Sequence, residues 1–190
     1  IWEDGSDAQV IRYGGDIARL SLKIKDLDKN EIITQPQHSP ISGWVRIEKY
    51  DDYIWSKRYT ETNGSGYLVY DFDANCSFKS GYRDWYGGIE NDECYMDNNS
   101  YASSNNYESL LVIGQLKNNL ELPNVSEFNV TNQIDIRFNL TSECSGLPNE
   151  GNITSATTNI TLVNNQTGYV SECTPIIDEN SGWYNCTWNS

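Results

Sequence analysis

Apolar and polar residues alternate without interruption in Ala18-Arg19-Leu20-Ser21-Leu22-Lys23-Ile24-Lys25. This alternation places every second side chain on one face, as in a β-strand with one face on a core. Similar runs, bounded by Gly, Asn, Asp and Ser, span Trp44 to Tyr50, Tyr53 to Thr62, Tyr67 to Asp73, Tyr82 to Tyr86 and Glu108 to Leu116. No run has a convincing helical period. The sequence therefore predicts an all-β protein built from sandwiches.

The opening stretch recurs when the sequence is compared with itself at an offset of 116 residues. Ala18, Leu20, Leu22 and Ile24 then fall on Ile134, Ile136, Phe138 and Leu140, Tyr53 falls on Tyr169, and Ser65-Gly66-Tyr67 falls on Ser181-Gly182-Trp183. Generic β patterning is the competing explanation. We interpret the match as two tandem sandwich domains, 1–117 and 118–190, joined near Asn118 to Pro123.

The second domain is predicted to be incomplete within this chain. Its sequence stops just after the strand that matches Tyr67 to Asp73, so its last two strands are missing. Either the chain is a segment of a longer protein or a partner supplies a strand that covers the open core. We expect the N-terminal segment Ile1 to Gly15, or the next copy, to contact this open end.

Asparagine placement points to the compartment. The chain holds 22 Asn and 31 Ser plus Thr, for which random placement would give about 3 or 4 Asn-x-Ser/Thr sequons. Ten sequons occur, beginning at Asn63, Asn75, Asn98, Asn124, Asn129, Asn139, Asn152, Asn159, Asn165 and Asn185. They indicate an N-glycosylated, extracellular chain, although a polar β surface rich in Asn and Thr is the alternative.

Strand parity agrees with glycosylation, because a glycan must leave a strand from its solvent face. Asn139 has the parity opposite to Ile136 and Phe138. Asn159 likewise opposes Ile160 and Leu162, and Asn185 opposes Tyr184 and Cys186. All three are predicted to point outward.

Five cysteines in so polar a chain suit an oxidising setting. Cys76 and Cys94 flank one short segment and are predicted to pair. Cys173 and Cys186 lie at nearly equal distances from a predicted turn at Asp178 to Gly182 and form the second predicted pair. Cys144 is then unpaired, which points to a partner outside the chain. A Cys144–Cys186 bond is nearly as compatible with the spacing.

Six short motifs of the chain are distinctive. They are Cys76-Ser77-Phe78, Trp85-Tyr86-Gly87-Gly88, Asp92-Glu93-Cys94-Tyr95, Asn98-Asn99-Ser100, Cys173-Thr174-Pro175 and Gly182-Trp183-Tyr184-Asn185-Cys186-Thr187-Trp188-Asn189. In these motifs the chain resembles large archaeal cell-surface glycoproteins. The turn Thr62-Asn63-Gly64-Ser65-Gly66-Tyr67 is similar to that of many prokaryotic immunoglobulin-like (Ig-like) repeats. The resemblance implies repeated Ig-like sandwiches in an S-layer, stalk or extracellular filament, without catalysis.

Composition argues against several other functions. The net charge is −14, and after Lys117 one basic residue, Arg137, stands against eight carboxylates, so nucleic acid is excluded as a partner. No apolar run is long enough to span a bilayer. Catalysis by the single His38 is disfavoured because its Pro-flanked segment indicates an exposed loop. Acid pairs such as Asp51-Asp52 and Asp71/Asp73 resemble a glycosidase pair only superficially.

We predict no enzyme activity, no cofactor and no metal. Asp26-Leu27-Asp28-Lys29-Asn30-Glu31 begins like a calcium loop, but Glu31 replaces the turning Gly, and a hairpin turn is the simpler interpretation. Asp4 and Asp7 form a weaker candidate pair. The predicted partners are copies of this chain, or adjacent repeats of the same protein, and covalent N-glycans.

The aromatic residues allow two functional hypotheses. If Trp44, Trp55, Trp85, Trp183 and Trp188 fill sandwich cores, the protein is a structural subunit of an extracellular filament or layer. If Tyr53 and Trp55 form an exposed platform for stacking sugars, it is a cell-surface adhesin or carbohydrate-binding module.

Overall fold

The structure is a computed structural model that describes residues 2–4, 8–34, 39–50, 54–97, 108–123, 131–145 and 151–189. The described residues form sixteen strands and no helix. The strands are β1 (Trp2–Asp4), β2 (Ala8–Ile11), β3 (Ala18–Lys23), β4 (Lys25–Asp26), β5 (Glu31–Ile32), β6 (Ser42–Tyr50), β7 (Ile54–Glu61), β8 (Tyr67–Phe72), β9 (Gly81–Ile89), β10 (Glu108–Ile113), β11 (Leu116–Leu122), β12 (Gln133–Ser142), β13 (Thr161–Val163), β14 (Val170–Glu172), β15 (Ile177–Asp178) and β16 (Trp183–Asn189). The predicted all-β class is confirmed. Within the described ranges no helix is long and apolar enough to cross a membrane.

The chain divides into two compact units, Ile1–Gly114 and Gln115–Ser190. The linker predicted near Asn118 to Pro123 is wrong, because all of these residues except Pro123 belong to β11, which pairs antiparallel with β12. Six of the seven β11 residues are exposed and the seventh is half-buried. An edge strand without a buried face carries no alternation of apolar and polar residues that would identify it.

The first unit contains two main sheets. One has the strand order β1-β3-β8, and the other has the order β2-β10-β9-β6-β7. Strand β2 lies at the edge of the larger sheet and pairs parallel with β10, while the other pairings are antiparallel. One apolar cluster receives side chains from both sheets, among them Leu20, Leu22 and Phe72 from the smaller and Val45, Trp85, Leu110 and Val112 from the larger.

The second unit has one four-stranded sheet with the order β11-β12-β16-β15 and a separate β13–β14 hairpin. Alternate residues of β12 are buried, as the sequence predicts. Ile134 and Ile136 pack with Cys173 and Cys186, whereas Phe138 packs with Leu140 and Tyr184 in a neighbouring cluster.

The two units repeat one pairing register at the offset of 116 residues found in the sequence. Ala18 pairs with Phe72 and Leu22 with Leu68, and the residues 116 positions later pair in the same way, Ile134 with Trp188 and Phe138 with Tyr184. The predicted repeat is therefore confirmed for these two strands of each unit.

The repeat extends to the turn before the last shared strand. Gly66 and Gly182 both have positive φ, 81° and 79°, a conformation that glycine adopts most easily. Ile24 N donates to Gly66 O, and Leu140 N donates to Gly182 O, both at 3.0 Å. The match of individual hydrogen bonds makes generic β patterning an insufficient explanation.

Candidate functional site: an open apolar groove in the second unit

Comparison of the two units identifies a surface that is fully covered in the first and less completely covered in the second, where Ile134 and Ile136 are 7% and 6% exposed and Trp188 is half-buried. In the first unit, the smaller sheet packs against five strands, and Leu20 and Phe72 have no exposed surface. In the second unit, the described residues supply only the β13–β14 hairpin opposite the equivalent sheet. The strands that correspond to β9, β10 and β2 have no counterpart among the described residues.

The open surface forms a groove of about 390 Å³. Its lining is mostly apolar and consists of Pro123, Ile134, Ile136, Leu162, Val163, Asn164, Tyr169, Ser171 and Trp188. We call this set the second-unit groove. Two of its rim residues, Val163 and Tyr169, are 56% and 70% exposed. Exposed apolar side chains beside a concave surface are typical of an interaction site.

One wall of the groove also has an unpaired strand edge. In chain order the β13–β14 hairpin takes the place of the β6–β7 hairpin of the first unit. Strand β6 pairs on one side with β7 and on the other with β9, whereas within the described residues β13 pairs only with β14. The free edge of β13 could accept a further strand through backbone hydrogen bonds.

A disulfide ties this hairpin to the sheet. Cys173, which follows β14, is bonded to Cys186 of β16, and both are at most 2% exposed. This is the second predicted pair, and it rules out the alternative Cys144–Cys186 bond. The cross-link holds the two walls of the groove together where the packed area is small.

The other cysteines differ from the prediction. Cys94 is an exposed free thiol, so the predicted Cys76–Cys94 pair is wrong. The backbone N–H of Cys94 donates to Asp92 Oδ1 at 2.9 Å in a local turn, and the side chain is exposed. Cys76 and Cys144 are each disulfide-bonded, so the prediction that Cys144 is unpaired is also wrong.

Seven of the ten sequon asparagines lie in the described residues, and none of these is buried. Asn63, Asn75, Asn152, Asn159 and Asn165 are exposed, and Asn139 and Asn185 are half-buried. Asn98, Asn124 and Asn129 lie outside the described residues. In strands β12 and β16 the sequon asparagines alternate with buried residues, as strand parity predicts, so each described sequon lies at a position compatible with an attached glycan.

The outer face of the second unit's sheet carries a polar cluster around Arg137. The guanidinium donates to both carboxylate oxygens of Glu179, at 2.9 and 2.8 Å, and also pairs with Glu121. Its Cζ lies 4.2 Å from the ring centroid of Trp183. The hydrogen bonds from Arg137, with a further one from Asn185, lower the pKa of Glu179 to about 2. The pKa of Arg137 is raised by its hydrogen bonds to Glu179 and Glu121.

The residues considered for catalysis or metal binding do not assemble into a site in the described structure. Asp71 forms a bidentate pair with Arg19, at 2.7 and 3.0 Å. Asp26 accepts backbone N–H groups of Asp28 and Lys29 in a hairpin turn. No group of three or more His, Cys, Asp or Glu side chains in the described ranges could hold a metal ion. His38, Asp51, Asp52, Tyr53 and Asp7 lie outside those ranges, as does the side chain of Asp4.

The tryptophans are not all core residues. Trp85 lies in the first unit's core, and Trp188 is half-buried against the core of the second. Trp183, predicted to be core, instead faces outward beneath Arg137. Trp55 is half-buried, and its ring packs edge-on against Tyr86 at 4.9 Å between centroids. Tyr53 lies outside the described residues, so the sugar platform stays a prediction.

Comparisons with known proteins add little. No family model matches the chain, and no curated protein matches it. One solved structure, the crystal structure of a tetra-tandem repeat in the extending region of a large adhesion protein, aligns with a TM-score of 0.32 and 12% identity. That alignment covers 97% of this chain and 41% of the other. The case for function therefore comes from this chain's own residues.

Proposed function

We propose that this chain is a structural subunit of an extracellular glycoprotein filament or cell-surface layer. Its domains join end to end, and a β-strand from a second copy, or from an adjacent repeat of the same protein, inserts into the second-unit groove. The protein needs no catalytic residue or cofactor for this role. The supporting observation is the groove itself, which lies where the first unit packs its own strands.

The inserted strand has defined requirements. It would run along the free edge of β13, as β9 runs along β6, and would therefore be antiparallel to β13. Its alternate side chains would contact Ile134, Ile136 and Trp188. Apolar burial contributes about 25 cal/mol per Å², so apolar residues are required at those alternate positions.

The N-terminal segment of the chain has backbone partners within the first unit. The described parts of that segment are strands β1 and β2, which pair with β3 and β10 inside the first unit. Val10 is 1% exposed there. The expectation that Ile1 to Gly15, or the next copy, contacts the open end of the second domain stays a prediction.

The disulfides and sequons support an extracellular location. Cys173–Cys186 is formed, Cys76 and Cys144 are also oxidised, and such bonds persist mainly in oxidising compartments. Sugars on the exposed asparagines would cover sheet faces and leave the groove as the association surface.

Size-exclusion chromatography with light scattering, followed by electron microscopy, tests the proposal on protein secreted from an N-glycosylating host. We expect concentration-dependent multimers that are lost in Tyr169→Asp, since Tyr169 lies on the groove rim. Tyr82→Asp is the matched control, because Tyr82 is 65% exposed but lies in the first unit. Multimers that survive Tyr169→Asp unchanged, or a wild type that is monomeric at all concentrations, would contradict the proposal.

A further inference from the structure

The outer face of the second unit's sheet places two sequon asparagines beside one tryptophan. Asn139 of β12 is directly opposite Trp183 of β16, and Arg137 is opposite Asn185. The four side chains form a two-by-two block on the face that points away from the core. Directly opposed residues have Cβ atoms about 4.5–5.5 Å apart, which is within reach of a sugar attached to the asparagine amide.

One face of the Trp183 ring is already occupied by Arg137, whose Cζ is 4.2 Å from the ring centroid. Arg137 is fixed in turn by its bidentate pairing with Glu179. Within the described residues Trp183 has no second aromatic or cation–π contact. The indole is thus held in place by ion-paired neighbours and remains half-buried on a solvent face, where its amphipathic ring can pack against another group.

The two asparagines are not equivalent. The amide of Asn185 donates to Glu179 Oε1 at 2.7 Å, which directs it toward the ion-paired side of the block. Asn139 lies on the Trp183 side, between that residue and Asn119 of β11. A sugar attached to Asn139 is therefore the nearest covalent group that could reach the indole.

We propose that Trp183 is the docking platform for the first pyranose of a glycan on Asn139. The apolar face of the sugar packs on the indole, and Arg137 supports the ring from its other side. The glycan then stabilises the second unit as well as shielding it. This inference rests on the proposed function only in that the chain is N-glycosylated, and it does not depend on the groove.

A double-mutant cycle tests the contact on the full secreted chain. Thr141→Val removes the sequon but keeps Asn139, and Trp183→Leu removes the ring; the four variants are prepared with and without N-glycosylation. In the glycosylated series we expect a coupling of about threefold to tenfold in the unfolding equilibrium constant, the range of aromatic stacking contacts, and none in the bare series. Thr167→Val, which removes the exposed turn sequon at Asn165, is the control and should show no coupling to Trp183.

Mass spectrometry of the peptide containing Asn139 shows whether an absence of coupling is due to an unglycosylated Asn139 or to a glycan that does not contact Trp183. A bare Asn139 in the secreted wild type would overturn the inference and remove this site from the proposed glycoprotein. An occupied Asn139 without coupling to Trp183 would overturn the inference alone. If Trp183→Leu fails to fold, nuclear Overhauser effects between the indole and the first sugar of the wild type decide, and their absence would overturn the contact.

A final experiment distinguishes the protein's own glycan from a free saccharide as the group that binds Trp183. Free N-acetylglucosamine is titrated into the bare protein while the indole N–H resonances are monitored. We expect no saturable shift at Trp183, because the covalent link supplies the effective concentration that holds a weakly stacking sugar in place. Saturable binding of the free sugar would identify a site for external saccharides instead, and would overturn the assignment to the protein's own glycan.

Discussion

Removal of one oxygen atom from Tyr184 should destabilise the second unit while leaving the first unchanged. The side chain is 1% exposed. Its hydroxyl donates to Ile153 O and accepts from Ala156 N, both at 3.0 Å. Both hydrogen-bond partners lie in the second unit, so we expect Tyr184→Phe to affect that unit alone. The equivalent residue of the first unit, Leu68, has no hydroxyl.

The expected loss follows from the two hydrogen bonds. Each contributes about 0.5–1.5 kcal/mol net, and a buried partner left unsatisfied costs about 1–3 kcal/mol. Ile153 and Ala156 are half-buried, so water partly replaces the lost hydroxyl, and we expect a total of about 2 kcal/mol. For a unit of this size each kcal/mol lowers the melting temperature by about 4–8 °C.

Urea unfolding monitored by amide hydrogen exchange measures this loss and locates it. Protection of the Ala156 amide should fall most, because its acceptor disappears, while Leu22 and Val45 in the first unit should exchange as in the wild type. Tyr169→Phe is the matched control, since its 70% exposed ring should lose no buried hydrogen bond. A loss below about 0.5 kcal/mol, which is less than one net hydrogen bond, would refute the reasoning.

Two further predictions concern charge and thiols. The pKa of Glu179 is lowered to about 2. Its contribution to stability is therefore complete above the ordinary glutamate pKa and is lost as the pH falls from there toward 2. Glu179→Gln should remove that part of the loss of stability at low pH in denaturant titrations, and an unchanged dependence of stability on pH in this range would contradict the assignment. Thiol titration of the unfolded, non-reduced chain should find one free cysteine, and Cys94→Ser should abolish it. Two or more thiols, or labelling at a position other than Cys94, would contradict the assigned oxidation states.

The sequence predicts those parts of the fold in which a buried face imposes a period. Strands β3 and β12 each have one solvent-exposed and one buried face. The resulting alternation of polar and apolar residues identifies both the strands and the offset between the units. Strand β11 has no buried face, and its Asn118-Asn119 pair resembles a linker although it pairs along β12. A strand can thus be predicted from the sequence only where one of its faces is buried.

The cysteines show a second limit of sequence analysis. Cys173 and Cys186 lie on either side of one turn, and local geometry brings them together. Cys76 and Cys94 have similar spacing, but β9 lies between them, and the turn at Asp92 leaves Cys94 exposed. The groove gives only a weak signal in the sequence, because it depends on strands of the first unit that have no counterpart among the described residues of the second, and the internal repeat alone indicates where those counterparts would be.

Within the described residues, the second unit has local hydrogen bonds at the place where the first unit has strand β6. In the first unit, Leu68 lies against strand β6, so close that a Cβ on Gly43 would be 2.5 Å from its Cδ1, and the backbone groups of β6 are bonded within the sheet. The corresponding place in the second unit is filled by residues 151–160, which form no regular strand and must satisfy their backbone groups by other means. The Tyr184 hydroxyl does this for Ile153 and Ala156, and the Asn152 side chain, which donates to Ser181 O at 2.9 Å, joins the segment to the turn before β16. Together with the Cys173–Cys186 bond, these ties join the segment and the hairpin to the sheet. A strand that inserts into the groove would therefore meet walls that are already formed and would lose little of its binding free energy to ordering the second unit.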